Sequence, residues 1–282
     1  GVTASFSHLV APGVVMPHGI LGFLAGFQIA IFSFVGTELI GTAAAEAKDP
    51  EKTLPKAINT IPVRILLFYI CSLVCIISVV SWANVPANRS PFVELFLLGG
   101  LPAAAGIINF VVLTSAASSA NSGVYSGSRM LYGLSHQQQA PTAFGRLSGS
   151  GTPVRALVFS GVCMAIALTL LFVIPEVMTV FTLVSTISAV MIIVTWSLIL
   201  LSYFAYRRQN PQAHEQSRFK LPGGKVTAAL AQLFLIFVLC LLALEPDTRT
   251  ALYVMPLWYA GLLLAYRRRT KASAQPQTAT AT

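Results

Sequence analysis

Seven mostly apolar stretches follow one another along the chain, with short polar segments between them. A helix needs about 20 apolar residues to cross the hydrocarbon core of a bilayer, and the stretches reach or approach that length. The pattern therefore predicts an all-α, polytopic membrane protein with seven spans. Their approximate bounds are residues 20–46, 62–82, 102–131, 155–174, 178–206, 226–244 and 251–266.

The first stretch is interrupted in its middle by Gly36, Thr37 and Glu38. The apolar piece that follows, residues 39–47, is too short to cross a bilayer by itself. A carboxylate near the bilayer centre costs about 2.5–3.5 kcal/mol or more if it faces lipid, so Glu38 should face protein or a wet cavity. Gly36 permits unusual backbone angles, and Thr37 is a candidate cap for a restarted helix. We predict a broken span, with free carbonyl and N–H groups at the two half-helix ends. The alternative is a kinked helix whose buried Glu38 bonds to a neighbouring hydroxyl.

The third stretch carries an unusual polar run, residues 114–123, with the sequence Thr-Ser-Ala-Ala-Ser-Ser-Ala-Asn-Ser-Gly. Small residues let membrane helices approach closely, and hydroxyl and amide groups bond across helices. We therefore expect this helix to be surrounded by protein or to line a cavity. Ser118, Ser119 and Asn121 are the candidate ligand-binding side chains, and close packing alone is the alternative explanation.

Three polar segments between and after the spans have their own patterns. Residues 48–56 are charged, and we predict a short surface helix that begins near Pro55. Residues 91–96 are amphipathic and are predicted to lie on the membrane surface. The membrane domain is placed at residues 1–266. The basic, low-complexity residues 267–282 are predicted to be a disordered cytoplasmic tail.

Composition and charge support a membrane protein and give its orientation. The 282 residues are 55% hydrophobic and 10% charged, whereas soluble domains carry about 25% charged residues. Of the 18 Lys and Arg residues, only Arg89 and Arg249 fall on the side of the membrane that also holds the N-terminus. Because cytoplasmic loops are rich in Lys and Arg, the N-terminus is predicted to be periplasmic and the C-terminus cytoplasmic. The formal charge of +9 therefore indicates topology rather than nucleic-acid binding.

No pattern typical of an enzyme or a metal site lies within the spans. The four cysteines lie in apolar stretches without metal-ligand spacing, and no histidine pairs with a carboxylate at a useful spacing. We predict neither enzymatic activity nor a cofactor. A seven-helix receptor or scaffold is the competing class, which the broken first span and the Ser- and Ala-rich third span disfavour. In transporters, broken helices place their ends at a midplane substrate site, and an amino acid zwitterion would suit both ends.

Long strings in the chain resemble amino acid permeases of the amino acid–polyamine–organocation superfamily. Residues 32–38, Phe-Ser-Phe-Val-Gly-Thr-Glu, followed by residues 45–50 and Pro55, resemble the sixth helix and the following loop of that family. The similarity covers nearly the whole chain, including loops. A closer resemblance, to members that import D-serine, D-alanine and glycine, is carried by residues 90–96, 113–123, 248–249 and 256–258.

This resemblance implies a LeuT-type fold with twelve helices, made of two inverted five-helix repeats and a final pair. The chain would supply helices six to twelve, with the second repeat at residues 20–206 and the last two helices at residues 226–266. Helices one to five would be missing. The implied function is import of small neutral amino acids, namely D-alanine, D-serine and glycine, by H⁺ symport across the bacterial inner membrane. Permeases for proline, aromatic amino acids or GABA are the alternatives.

The resemblance also suggests roles for individual residues. Backbone groups at the break would receive the substrate's amino group, and Glu38 would act in gating or proton coupling. From its chemistry alone, Glu38 could instead be purely structural. The implied substrate-binding residues are Phe32, Ser33, Phe34, Val35, Gly36 and Thr37, to which the polar face of the third span adds Ser118, Ser119 and Asn121.

Overall fold

The computed structural model describes residues 5, 7–10, 16–43, 47–85, 90–174, 176–244 and 246–274. Within these residues the chain is α-helical and contains no β-strand, which confirms the predicted all-α class. The α-helices are α1 (Ser7–Val10), α2 (Gly19–Ala25), α3 (Phe27–Ser33), α4 (Leu39–Ala43), α5 (Pro50–Val79), α6 (Pro91–Leu98), α7 (Pro102–His136), α8 (Val154–Val173), α9 (Val177–Gln209), α10 (Pro211–Gln216), α11 (Lys225–Leu244) and α12 (Pro246–Ala274).

Four of these helices, α5, α7, α9 and α11, are long and apolar enough to cross a membrane. They correspond to the second, third, fifth and sixth predicted spans. Shorter apolar helical stretches occur at Gly19–Ser33 and Val154–Thr169, within the first and fourth predicted spans. Helix α12 covers the seventh predicted span but is not one of the four.

The predicted helix boundary before the second span is wrong. Helix α5 runs without interruption from Pro50 to Val79, so residues 48–56 do not form a separate loop with a helix beginning at Pro55. Pro50 suits the first helical turn because its ring presets the backbone angle and its missing N–H would be unbonded there anyway. Pro55 and Pro62 lie inside the helix. Membrane helices tolerate such prolines because neighbouring groups can satisfy the freed carbonyls.

The polar segments differ from the prediction in two further places. Helix α6 forms where the amphipathic segment was expected, but α10 has no counterpart in the predicted pattern. Helix α12 continues past residue 266 to Ala274, so residues 267–274 of the predicted disordered tail are helical. Residues 44–46, 86–89 and 275–282 lie outside the described part of the chain.

The chain divides into two compact units, and each is described by itself. The first consists of Gly1–Phe23, Gly36–Tyr132 and Arg146–Met178. Within it, α5 packs against α1, α4 and α6. A Cβ atom added at Gly127 would lie 3.4 Å from Ser160 Oγ, which indicates close approach of α7 and α8. Small residues permit such close contacts between membrane helices.

The second unit consists of Leu24–Val35, Gly133–Gly145 and Thr179–Thr282. Its apolar core lies where α3, α9, α11 and α12 meet, and it is built from the buried side chains of Ile31, Val190, Ile193, Leu235, Val238, Leu242 and Met255. Arg249 at the start of α12 donates hydrogen bonds to the carbonyls of Ala243 (3.1 Å) and Leu244 (3.3 Å), near the end of α11. These bonds satisfy carbonyls that a helix end leaves without intrahelical partners. One of the boundaries between the units along the chain falls between Val35 and Gly36.

Candidate functional site

The predicted break in the first span is present in the structure. Helix α3 ends at Ser33, and the N–H groups of Phe34 and Val35 donate to the carbonyls of Ile31 (3.0 Å) and Phe32 (3.1 Å). These tightened i→i+3 bonds close the last turn of the helix. Residues 34–38 form the turn, and α4 restarts at Leu39.

Gly36 is the residue at which the backbone leaves the helical path. Its φ angle is +103°, in a region that L side chains rarely adopt. A Cβ atom placed there would find space, since its nearest neighbour would be Leu39 Cδ1 at 4.0 Å. The requirement for glycine therefore comes from backbone conformation rather than from crowding.

The Glu38 side chain stabilises the turn at the break. Both carboxylate oxygens accept a hydrogen bond from the Gly36 N–H, at 3.2 Å to Oε1 and 3.0 Å to Oε2. The Glu38 side chain is half-buried. The side chain that holds the turn is thus Glu38, whereas Thr37 had been the candidate cap. The partner of Glu38 in these bonds is a backbone N–H group, whereas the alternative prediction was a neighbouring hydroxyl.

The side chains just before the break have different surroundings. The Phe32 ring meets Phe181 of α9 edge to face, with ring centroids 6.2 Å apart and planes at 87°. Ser33 Oγ donates to the Ala30 carbonyl at 2.7 Å, so its hydroxyl bonds back to its own helix. The Val35 side chain is 39% exposed. Phe181 was not predicted, because its pairing with Phe32 joins residues far apart in the chain.

A small polar pocket lies in the first unit, one helical turn beyond the break. Its volume is about 210 Å³, below the range of about 300–1,000 Å³ typical of pockets for drug-sized ligands. It is lined by Leu39, Thr42, Asn121, Ser122, Tyr125 and Ser126. The pocket therefore combines α4 with the polar half of α7.

One hydrogen bond joins the two walls of this pocket. Thr42 Oγ1 donates to the Leu39 carbonyl at 2.8 Å and lies 2.9 Å from Ser126 Oγ. In this pair of hydroxyl groups, either oxygen can be the donor. Ser126 is 6% exposed. The bond fixes α4 to α7 directly beside Asn121, whose amide can both donate and accept hydrogen bonds.

The candidate residues on α7 are only partly brought together. All three side chains are exposed, but only Asn121 lines the pocket. The Ser118 carbonyl accepts a hydrogen bond from Ser122 Oγ at 3.0 Å. The pocket residues that sequence reasoning missed are Leu39, Thr42, Ser122, Tyr125 and Ser126. Helical spacing was an available signal, since positions four apart lie on one helix face.

Among the described residues, no cluster of His, Cys, Asp and Glu side chains could hold a metal ion. The site offers instead backbone N–H and carbonyl groups at a helix break, one carboxylate, and hydroxyl and amide groups nearby. Such groups can bind a small polar solute and exchange hydrogen bonds with it. They provide no nucleophile with an adjacent base.

The chain is a multi-pass membrane protein and belongs to the amino acid permease family, whose family model, "Amino acid permease", matches residues 1–276. Membership of a permease family confirms the prediction that the chain is not an enzyme. It also confirms the resemblance to amino acid permeases. No solved structure matches the chain.

Curated relatives match over nearly all of this chain but over little more than half of their own length. The D-serine/D-alanine/glycine transporter of Escherichia coli (strain K12) is 54% identical over 266 residues, which are 94% of this chain and 57% of that protein. The amino-acid permease AapA of Bacillus subtilis (strain 168) is 41% identical over 95% of this chain and 58% of its own. The aromatic amino acid transport protein AroP of Escherichia coli O157:H7 is 35% identical over 97% of this chain and 59% of its own length.

Proposed function

We propose that this chain forms helices six to twelve of a secondary transporter that imports small neutral amino acids, with D-alanine, D-serine and glycine as its substrates. The higher of the identities above, 54%, is to a relative named for those three amino acids, whereas the aromatic amino acid transport protein is 35% identical. The family resemblance implies five further helices before this segment, and the chain spans 57% of that relative's length.

The observation that carries the proposal is the hydrogen bond from Gly36 N–H to the Glu38 carboxylate at a helix break. A substrate carboxylate needs backbone N–H donors of the same kind as the Gly36 N–H, which donates to Glu38 in this structure. Charge-assisted hydrogen bonds are roughly twice as strong as neutral ones, so protonation of Glu38 would weaken its hold on Gly36. Glu38 thereby acts as a gate whose release is coupled to H⁺. Symport by this route requires no cofactor other than the coupling ion.

The substrate would lie at the break, with its amino group on the carbonyls of the turn and its remaining groups near the residues that flank it. Phe32, Val35 and Gly36 are the main contacts in this proposal, and Ser33, Phe34 and Thr37 are the further ones. On α7, the pocket geometry favours Asn121 over Ser118 and Ser119, because Asn121 alone of the three lines the pocket. The transporter would lie in the bacterial inner membrane, with this chain's N-terminus periplasmic and its C-terminus cytoplasmic.

Uptake into proteoliposomes tests the proposal. We would compare the 282-residue chain with the same chain preceded by the first five helices of the Escherichia coli relative, using labelled D-alanine and glycine. The expected result is uptake by the extended chain only, abolished by a protonophore, with proline, aromatic amino acids and GABA competing poorly. Strong competition by one of those would replace the substrate assignment. Uptake by neither chain would favour a receptor or scaffold instead.

A further inference from the structure

An open apolar groove of about 370 Å³ lies in the second unit, between α9 and α11. Ile31 and Leu235, each 5% exposed, form its floor, and the exposed side chains of Ile199 and Phe234 stand at its rim. Ala231 leaves room between the two helices. Its lining is almost wholly hydrocarbon, and in a membrane protein such a groove is a place for an acyl chain rather than for water.

Both helices that form the groove carry basic residues at the same end. Arg207 and Arg208 end α9, and Lys225 begins α11. At 1.5 Å per residue, Ile199 lies about 12 Å along α9 from Arg207, and Ala231 about 9 Å along α11 from Lys225. One leaflet of the hydrocarbon core is about 15 Å deep, half of its total thickness. The groove and the charges are thus separated by a distance that fits within a single leaflet.

The two basic ends are held side by side by local structure. Arg207 Nη1 donates to the Tyr203 hydroxyl at 3.2 Å, which fixes the guanidinium along α9. Gly224, at φ +56°, brings the backbone before α11 so near that a Cβ atom there would lie 2.8 Å from Arg207 Nη1. The Tyr203 ring also meets the ring of His214 at 6.0 Å. The start of α11 therefore lies against the end of α9.

The charge of this end is strongly positive. Residues 207–225 contain five Lys and Arg residues, and Glu215 is the single acidic residue among them. The N-terminus of α11 adds the partial positive charge of a helix dipole. Basic pockets between membrane helices attract the headgroups of anionic lipids.

We propose that the groove between α9 and α11 binds one acyl chain of an anionic glycerophospholipid, whose phosphate is held by Arg207 and Lys225. The apolar floor contacts the acyl chain of the lipid. The basic end, about 9–12 Å away along the helices, holds the headgroup. A zwitterionic lipid would make the same hydrocarbon contacts but would carry no net charge for the basic end to attract. A further helix or a second copy of the chain would cover the groove without needing its basic end.

Native mass spectrometry of the purified 282-residue chain in detergent tests this proposal. Phosphatidylglycerol and phosphatidylcholine with identical acyl chains would be added separately, and bound lipid would be counted. We expect phosphatidylglycerol to be retained preferentially and Lys225→Gln to weaken its binding about five-fold, the factor that corresponds to loss of one charge near the membrane surface. Arg155→Gln, which removes a charge at the start of α8, should leave the binding of both lipids unchanged.

A second pair of variants tests the groove itself. Ala231→Trp should fill the groove and lower retention of both lipids, whereas Ala229→Trp, two residues away on another face of α11, should not. Circular dichroism would verify that each variant keeps its helix content. Equal retention of the two lipids would overturn the proposal, as would equal effects of Lys225→Gln and Arg155→Gln. So would unchanged binding in Ala231→Trp, or a dimer that excludes lipid.

Discussion

At the scale of single residues, the break depends on two side chains of opposite character. Gly36 contributes the absence of a side chain, which allows φ to reach +103°. Glu38 contributes a carboxylate that accepts the N–H of that same glycine. One residue opens the helix and the other holds the opened turn, so their effects can be separated by substitution.

Replacing Glu38 by Gln tests the charge with little change of shape. The amide oxygen of Gln can still accept from the Gly36 N–H, so the turn should survive. The charge-assisted part of the bond would be lost, and no proton could be exchanged at this position. We expect Glu38→Gln to lower uptake by the extended chain more than about 10-fold, a loss of about 1.4 kcal/mol. The unfolding temperature in detergent is the control, and near-normal uptake would show that Glu38 is structural.

Replacing Gly36 by Ala tests the backbone. Because φ is +103° there, an added Cβ strains the turn, and we expect a loss of about 1–3 kcal/mol of stability. Gly41→Ala is the matched control, since Gly41 lies in α4 with no neighbouring atom within 4 Å of an added Cβ. That change should stabilise the helix by about 0.5–1 kcal/mol. Thermal unfolding of both variants decides the matter, and equal shifts would argue against backbone strain at Gly36.

At the scale of helices, α9 and α11 are joined by both apolar and polar contacts. Their buried side chains form much of the second unit's core. Gln232 Nε2 donates to Ser197 Oγ at 3.1 Å between the two helices. Gln232 Oε1 is buried and has no hydrogen-bond partner among the described residues. The pair therefore joins the helices while leaving one polar atom unsatisfied.

This arrangement predicts opposite effects of two substitutions. Ser197→Ala would remove the hydroxyl oxygen that accepts the hydrogen bond from Gln232 Nε2. The expected cost in the free energy of unfolding is about 1–3 kcal/mol. Gln232→Leu would remove the unsatisfied oxygen as well, so stability should be unchanged or higher. Thr195→Ala is the control, because that hydroxyl bonds to the Met191 carbonyl of its own helix. Unfolding temperatures in detergent measure all three, and a greater loss in Gln232→Leu than in Ser197→Ala would contradict the argument.

At the scale of the whole molecule, the surface is apolar and its charges are sorted along the chain. Large side chains such as Phe110, Leu113 and Leu257 are 65–76% exposed, as lipid-facing helices require. Basic residues collect in alternate loops between the apolar stretches. Since cytoplasmic loops are enriched in Lys and Arg, this sorting predicts a periplasmic N-terminus and a cytoplasmic C-terminus.

The orientation can be measured with reporters. We expect a fluorescent protein fused after residue 282 to be bright, as in the cytoplasm, and alkaline phosphatase at the same position to be inactive. Fusions after residue 88, in a predicted periplasmic loop, should give the reverse pair of signals. Equal signals at the two positions, or the opposite pattern, would contradict the assignment.

Much of the fold was predictable because hydropathy is a local property. The predicted spans correspond to helices of the structure, and the break appears at Gly36, where the pattern placed it. The error at α5 has a physical cause. A proline was taken as a helix boundary, but a membrane helix can accommodate prolines inside it.

The sequence by itself determined the helical class, the positions of the apolar helices, the break and the family, because each depends on residues that are near in the chain or on long matching strings. Only the tertiary structure decided which groups meet. It paired Thr42 with Ser126 and placed Phe181 beside Phe32, and both pairings join residues more than 80 positions apart. They depend on how whole helices pack, and helix periodicity specifies a face without specifying the face that meets it.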